Sequence, residues 1–294
     1  MVKKQIGKDF ALGTYKRFET TLKHIQEFIQ YQYRLDDVFL SEIRFQFVTD
    51  LEFYLKTVKE CNHNSTLKYI RNFRKIINLA VKNEWMDRDP FMKYQVKLKE
   101  TKRGFLDKDE LSNLANKELS VERLDQVRDV FVFCCYTGLS YSDVEKLTTR
   151  DISKGIDGEY WIFTERKKTG TDSNIPLLPK ALEIIEKYAE NPSVINSGQI
   201  LPMISNQKMN AYLKELATLC GIDKHLTFHM ARHTFATTVT LTNGVSIETV
   251  SSMLGHKNIR TTQIYAKVVQ SKVSDDMMKL KGLLTEESKK AVNQ

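Results

Sequence analysis

The stretch TFHMARHTFATT, Thr227 to Thr238, decides how this chain reads. His229, Arg232 and His233 fall at helical spacing, which puts His229 and Arg232 one turn apart on a shared face. Histidines at i and i+4 can hold zinc, but the glutamate of an HExxH helix is missing here. No carboxylate or cysteine nearby offers a third ligand. Arg232 lies between the two histidines. A permanent cation is a poor neighbour for a divalent metal and a good one for a phosphate, whose oxygens match its parallel N–H groups. His229 can donate to a further oxygen. The stretch therefore predicts phosphate chemistry on a helix, with a purely structural pair as the alternative and no metal, and with His233 packing or capping structurally.

Working outward, SSMLGHKNIRTTQIYAKV runs from Ser251 to Val268. His256 follows Gly255, a helix-ending residue, and Tyr265 stands nine residues later on the next helix. Upstream, KKTGTDSNIPL covers Lys167 to Leu177, and TGLSYSDV covers Thr137 to Val144. Singly these have ordinary readings, such as a loop histidine or a half-buried helix tyrosine. Their order along one chain is more specific.

In that order the motifs resemble those of the tyrosine recombinases of the lambda-integrase class. HMAR resembles the H-x-x-R box, LGH the second histidine box, and TTQIYAKV the segment of the nucleophilic tyrosine. KKTGTDSNIPL resembles the β-hairpin lysine segment, with Lys168 at the matching position. The resemblance implies a catalytic set of Tyr265, Arg232, His229, His256 and Lys168, supported by Asp143. A phenol with an ordinary pKa of about 10 is a weak nucleophile at neutral pH. Its attack on a phosphodiester builds charge on the nonbridging oxygens, so preorganised cations are needed there. Arg232, His229 and His256 would supply them, and Lys168 would protonate the leaving 5′ oxygen. The product would be a 3′-phosphotyrosyl bond that conserves the phosphodiester energy, with no cofactor, ATP or metal.

One position departs from the pattern. The family carries an arginine in a T-G-L-R-x-S-D/E box, and here Ser140 stands in its place. A serine offers one neutral hydrogen bond and cannot replace a bidentate cation. Another basic side chain is expected to fill the gap, with Arg166, Lys167 and Arg150 as candidates. The likeness to a branch of mobile-element integrases with a small residue here suggests a natural variant; a slow enzyme and a catalytically dead DNA-binding relative are the alternatives.

The remaining sequence divides the chain. From Thr14 to Asn83 apolar residues recur at three- and four-residue steps: Leu22, Ile25, Phe28 and Ile29, then Val48, Leu51, Tyr54 and Leu55, then Ile70, Phe73, Ile76, Ile77 and Ala80. This predicts a small helical bundle over residues 1–91. Its third helix presents Lys68, Arg71, Arg74 and Lys75 on a basic face suited to DNA phosphates. A basic linker, 92–104, follows, with Lys102 and Arg103 as further DNA contacts beside Arg166 and Lys167.

Residues 105–294 are predicted to be mostly helical, opening with an N-capped helix at Asp107. A buried helix is expected over Val121–Thr137, ended by Gly138. Strands are expected near Tyr160–Thr164 and Asn174–Leu178. Helices follow over Lys180–Tyr188, Lys208–Leu219, Phe228–Thr242, Ile247–Leu254, Thr261–Val269 and Asp276–Leu284. The fold expected is mainly α: a SAM-like core-binding bundle plus a helical catalytic domain with a small antiparallel sheet, the DNA breaking–rejoining enzyme fold.

Charge agrees with a DNA partner. Residues 1–103 carry 21 Lys/Arg against 13 Asp/Glu, whereas residues 104–294 carry 24 of each. A basic half joined to a neutral half suits an anionic polymer. Cys61, Cys134, Cys135 and Cys220 have no disulfide or zinc spacing. No apolar run approaches the length of a membrane span, so a cytoplasmic, nucleoid-associated protein is expected.

The resemblance implies a clamp on double-stranded DNA, a monomer when free, and a homotetramer on recombining DNA. It also implies accessory DNA-bending proteins and a C-terminal segment, Ser271 to Leu284, that docks on a neighbouring protomer. Many such integrases carry a further N-terminal arm-binding domain, and this chain starts almost directly at the bundle. A non-cleaving DNA-binding regulator and a type IB topoisomerase are the rival functions.

Overall fold

A computed structural model describes residues 2–101, 104–266, 277, 278 and 281. The chain divides into two compact units, residues 1–102 and 103–294.

The first unit is built on three helices: α1 (Leu12–Tyr33), α2 (Phe45–Thr57) and α3 (His63–Lys82). Asn62 caps α3 by accepting from the Ser65 amide at 2.9 Å, which leaves one fewer orphan donor in the first turn. The core gathers Phe28, Val48, Leu51, Leu55, Ile70, Phe73 and Ile77. Leu22 and Ile76 do not join it and are exposed. On α1 the inward stripe runs through Thr21, Ile25 and Phe28, and Leu22 falls beside it, because a helix buries a stripe and not every apolar residue near one.

The segment expected to be a linker lies largely on this unit. Phe91, the last residue expected of the bundle, is fully buried in its core, and beyond it Tyr94 bonds to Glu52. His63 Nε2 is 2.8 Å from the Lys97 carbonyl, and Asn64 pairs with both backbone groups of Lys99 at 2.8 and 2.9 Å. The apolar signal of Tyr94 was hidden in sequence by the lysines around it.

The second unit is mostly helical around a central helix. Its helices are α4 (Lys108–Ala115), α5 (Glu122–Thr137), the single turn α6 (Tyr141–Val144), α7 (Pro179–Tyr188), α8 (Pro192–Ser197), α9 (Asn206–Leu219), α10 (Phe228–Thr234), α11 (Ile247–Met253) and α12 (Arg260–Ala266). Asp107 starts α4 with a capping box, exchanging bonds with Glu110 at 2.9 Å each way. Residues Val130 to Cys135 of α5 are buried on every side, as expected of a helix apolar all round. The two cysteines there are packing residues.

A three-stranded antiparallel sheet of β1 (Ile152–Lys154), β2 (Tyr160–Glu165) and β3 (Asp172–Pro176) flanks the helices. Ile152, Ile162 and Ile175 pair across the strands, and this row faces the core. Strand β1 was not expected; three residues are too few to show alternation.

The helix expected over Phe228–Thr242 changes type along its length. After α10 it becomes a π-helix over Phe235–Thr240 and a 3-10 turn over Leu241–Asn243. Threonine hydroxyls explain the change: Thr240 Oγ1 donates to Phe235 O and Ala236 O at 2.9 Å, and Thr242 Oγ1 to Thr237 O at 2.8 Å. Such bonds compete with the regular backbone ladder. No described helix is long and apolar enough to cross a membrane.

Candidate active site

The C-terminal end of α11 is where the sequence motifs meet. Its last carbonyls have no partner within the helix, and three side chains from two other segments fill them. Ser173 on β3 donates to Met253 O, Arg232 on α10 donates to Leu254 O, and Thr171 Oγ1 donates to Gly255 O at 2.7 Å. Gly255 adopts φ +58°, and an added Cβ would lie 3.3 Å from Thr171 Oγ1 and 3.4 Å from the Asp172 carbonyl. Glycine there lets the hairpin approach and turns the chain into His256.

Arg232 is buried, at 2% exposure. Its Nη1 donates to the Gly138 carbonyl at 2.7 Å and its Nη2 lies 3.1 Å from His256 Nε2. Burial, and next the Arg166 charge, lower its pKa to about 10, while Tyr265 and Asp143 act in the opposite direction. It remains a cation at neutral pH.

His256 is held in line by two partners. Nε2 faces Arg232, and Nδ1 lies 2.8 Å from Thr262 Oγ1. Burial, then Arg232, Arg166 and His229, lower its pKa to about 4. From sequence, His256 is expected to be one of the cations at the phosphate. Without DNA it is held neutral at pH 7, first by burial and then by the positive charges beside it.

Tyr265 of the same chain is buried against these groups. Its ring lies parallel to that of His256 at 6.4 Å and edge-on to His233 at 5.0 Å. His233, expected only to pack, therefore packs on Tyr265, and on His229 at 4.8 Å. His229 is exposed on the same side.

Ser140 precedes α6 and donates to Asp143 Oδ2 at 2.6 Å. Asp143 is buried, and its other oxygen accepts the Lys167 amide at 2.9 Å. One carboxylate thus joins the serine box to the root of the hairpin between β2 and β3. Arg166, Lys167 and Lys168 sit on that root. Arg166 is half-buried; its Nε is buried with no hydrogen-bond partner among the described residues, and its charge acts on both Arg232 and His256. Lys167 and Lys168 are exposed. Arg150 is also exposed, on the 3-10 turn Thr149–Asp151, and is not among the charges acting on either residue.

On α3, Lys68, Arg71 and Lys75 are exposed. Arg74 departs from the expected face: its guanidinium lies 3.7 Å from Asp89 and over the Phe91 ring at 5.7 Å. Lys102 and Arg103 lie outside the described residues, as does the segment Ser271–Leu284 apart from Met277, Met278 and Lys281, so the helix expected over Asp276–Leu284 falls outside too.

Sequence reasoning missed Thr171, Ser173 and Thr262. The last had a signal, the threonine one turn before the tyrosine in TTQIY.

Residues 105–272 match the model of the phage integrase family, and residues 2–96 that of the phage integrase SAM-like domain. A tyrosine recombinase of Thermosipho africanus is 31% identical over 178 residues, 60% of this chain and 61% of that protein. Tyrosine recombinase XerD of Staphylococcus epidermidis is 25% identical over 288 residues, 92% of each chain. Among solved structures, a lambda integrase dimer bound to a COC′ core site superposes with a TM-score of 0.71. That match has 18% identity and covers 88% of this chain and 89% of the other; at that identity it speaks to the fold alone.

Proposed function

The chain belongs to the phage integrase family, and from that premise we propose that it is a tyrosine site-specific recombinase that moves a mobile element by cutting and rejoining duplex DNA. The observation that carries this reading is the convergence of buried Arg232 and Tyr265 with half-buried His256 of one chain around the end of α11. Tyr265 Oη attacks the phosphorus and gives up its proton to solvent. The bond to the 5′ oxygen breaks, and Lys168 protonates that oxygen. Arg232 holds the nonbridging oxygens with His229 and His256, and the reverse steps reseal a new strand.

Arg166 takes the place of the arginine that Ser140 lacks. Its nearness to Arg232 and His256 and its unpaired buried Nε support this assignment. The first unit binds double-stranded DNA through Lys68, Arg71 and Lys75, with Lys102, Arg103 and Lys167 adding contacts to the backbone. The solved relative is titled as a dimer on its core site; here the working assembly is a tetramer on two duplexes, formed from free monomers with accessory DNA-bending proteins, in the nucleoid.

The test is a nicked suicide duplex carrying the element's end sequence. Wild type should form a covalent adduct on a denaturing gel, and Tyr265→Phe should form none. Ser140 favours one other reading, a non-cleaving DNA-binding regulator. Tight, salt-sensitive binding without any adduct from wild type would establish that reading instead.

A further inference from the structure

The hydrogen bonds around His256 fix where its proton sits. A guanidinium only donates, so Nε2, 3.1 Å from Arg232 Nη2, must accept. A neutral imidazole has one donor and one acceptor nitrogen. The proton is therefore on Nδ1, and Nδ1–H donates to Thr262 Oγ1 at 2.8 Å. Thr262 is fully buried on α12, one turn before Tyr265. Its hydroxyl thus links the helix of the tyrosine to the ring of the histidine, and that ring lies parallel to the tyrosine ring.

We propose that Thr262 is a positioning residue for strand cleavage: it holds the Nδ1–H form of His256, aims Nε2 at the phosphate site, and fixes that edge relative to Tyr265. This rests on the recombinase reading above. The need for it follows from the surroundings of the ring. Arg232 and His229 face His256 from α10, Arg166 from the hairpin, and Tyr265 from α12. Burial first, and then the Arg232 and Arg166 charges, keep the ring neutral until an anion arrives. A scissile phosphate between Arg232 and His256 would draw a proton from solvent onto Nε2, because a nearby negative charge favours the charged form. The ring then has two donors. Nε2–H serves a phosphate oxygen, and Nδ1–H still needs an acceptor, which is Thr262 Oγ1.

The experiment uses the full chain, its Thr262→Val and Thr262→Ser variants, and two readouts. The first is the nitrogen-15 spectrum of histidine-labelled free protein, with His256 assigned against His256→Gln. Wild type and Thr262→Ser should show the proton on Nδ1, and Thr262→Val should lose the slowly exchanging Nδ1–H signal. The second is single-turnover cleavage of the suicide duplex. Removing a partner that orients a functional histidine costs about 10- to 100-fold, so Thr262→Val should slow by that much at unchanged DNA affinity. Thr262→Ser should stay near wild type. Cleavage by Thr262→Val at the wild-type rate, or a wild-type spectrum with the proton on Nε2, overturns the proposal. The spectrum of wild type decides even if Thr262→Val fails to fold. A wild type that forms no adduct overturns the recombinase reading, and the spectrum still judges the Thr262 bond separately.

Discussion

Replacing Arg166 with alanine should abolish most of the cleavage activity, and the structure sets the scale of the loss. The side chain stands on a hairpin root tied to Asp143 through the Lys167 amide at 2.9 Å, and to the His256 loop through Thr171. It is therefore held in advance, and such a donor needs no reorganisation when charge develops on the phosphate. Losing one transition-state donor costs about 10²–10³ in rate, roughly 3–4 kcal/mol. Ser140 donates instead to Asp143 and supplies no cation to compensate. A second signature is independent of chemistry. Arg166 is one of the charges that lower the His256 pKa to about 4. Without it the His256 midpoint must rise, yet stay below the ordinary 6.5, because burial and Arg232 remain. The assays are single-turnover cleavage of the suicide duplex and an NMR titration of His256. Arg166→Lys should keep much of the titration effect and recover only part of the cleavage, since it keeps charge without the planar fork. Ser140→Arg on the Arg166→Ala background should restore activity. The reasoning is refuted if Arg166→Ala cleaves at the wild-type rate, and doubly so if Arg150→Ala is the variant that fails.

Gly138→Ala should destabilise the second unit by roughly 2–4 kcal/mol. The φ of +73° disfavours any residue with a Cβ, and the new methyl would lie 2.4 Å from Cδ1 of the buried Phe235. Urea denaturation measures it, and a loss below about 1 kcal/mol would show that the helix end has room to shift. On α3, changing Lys68, Arg71 and Lys75 together to alanine should weaken binding across DNA sequences. If all three touch phosphates, the slope of log affinity against log salt should fall by roughly 2–3. Arg74→Ala should leave that slope nearly unchanged and lower the stability of the first unit, because Arg74 serves Asp89 and Phe91. A slope that falls only with Arg74→Ala would reverse this assignment.

Much of the architecture was legible because its determinants are local. Helical periodicity marked the bundle, Asp107 and Gly138 marked helix ends by their own chemistry, and the polar turn between β2 and β3 marked a hairpin. The proposed chemical set came from the resemblance of its motifs, with His229 and Arg232 in one box, His256 nine residues before Tyr265, Lys168 on its hairpin and Ser140 as the departure; the structure gathers Arg232, His256 and Tyr265 at the end of α11. What sequence could not supply depends on contacts between segments far apart along the chain. Arg74 looked like its neighbours until Asp89 and Phe91 folded beside it. His256 looked like a cation until burial, and then the Arg232 and Arg166 charges, lowered its pKa. Arg166 was one of three candidates, and only the tie from Asp143 to the hairpin root brought it to Arg232 while leaving Arg150 on an exposed turn. Residue type and spacing determine which groups can bind a phosphate. Charge state, tautomer and reach depend on burial and on through-space neighbours, and those exist only once the end of α11 has gathered its partners.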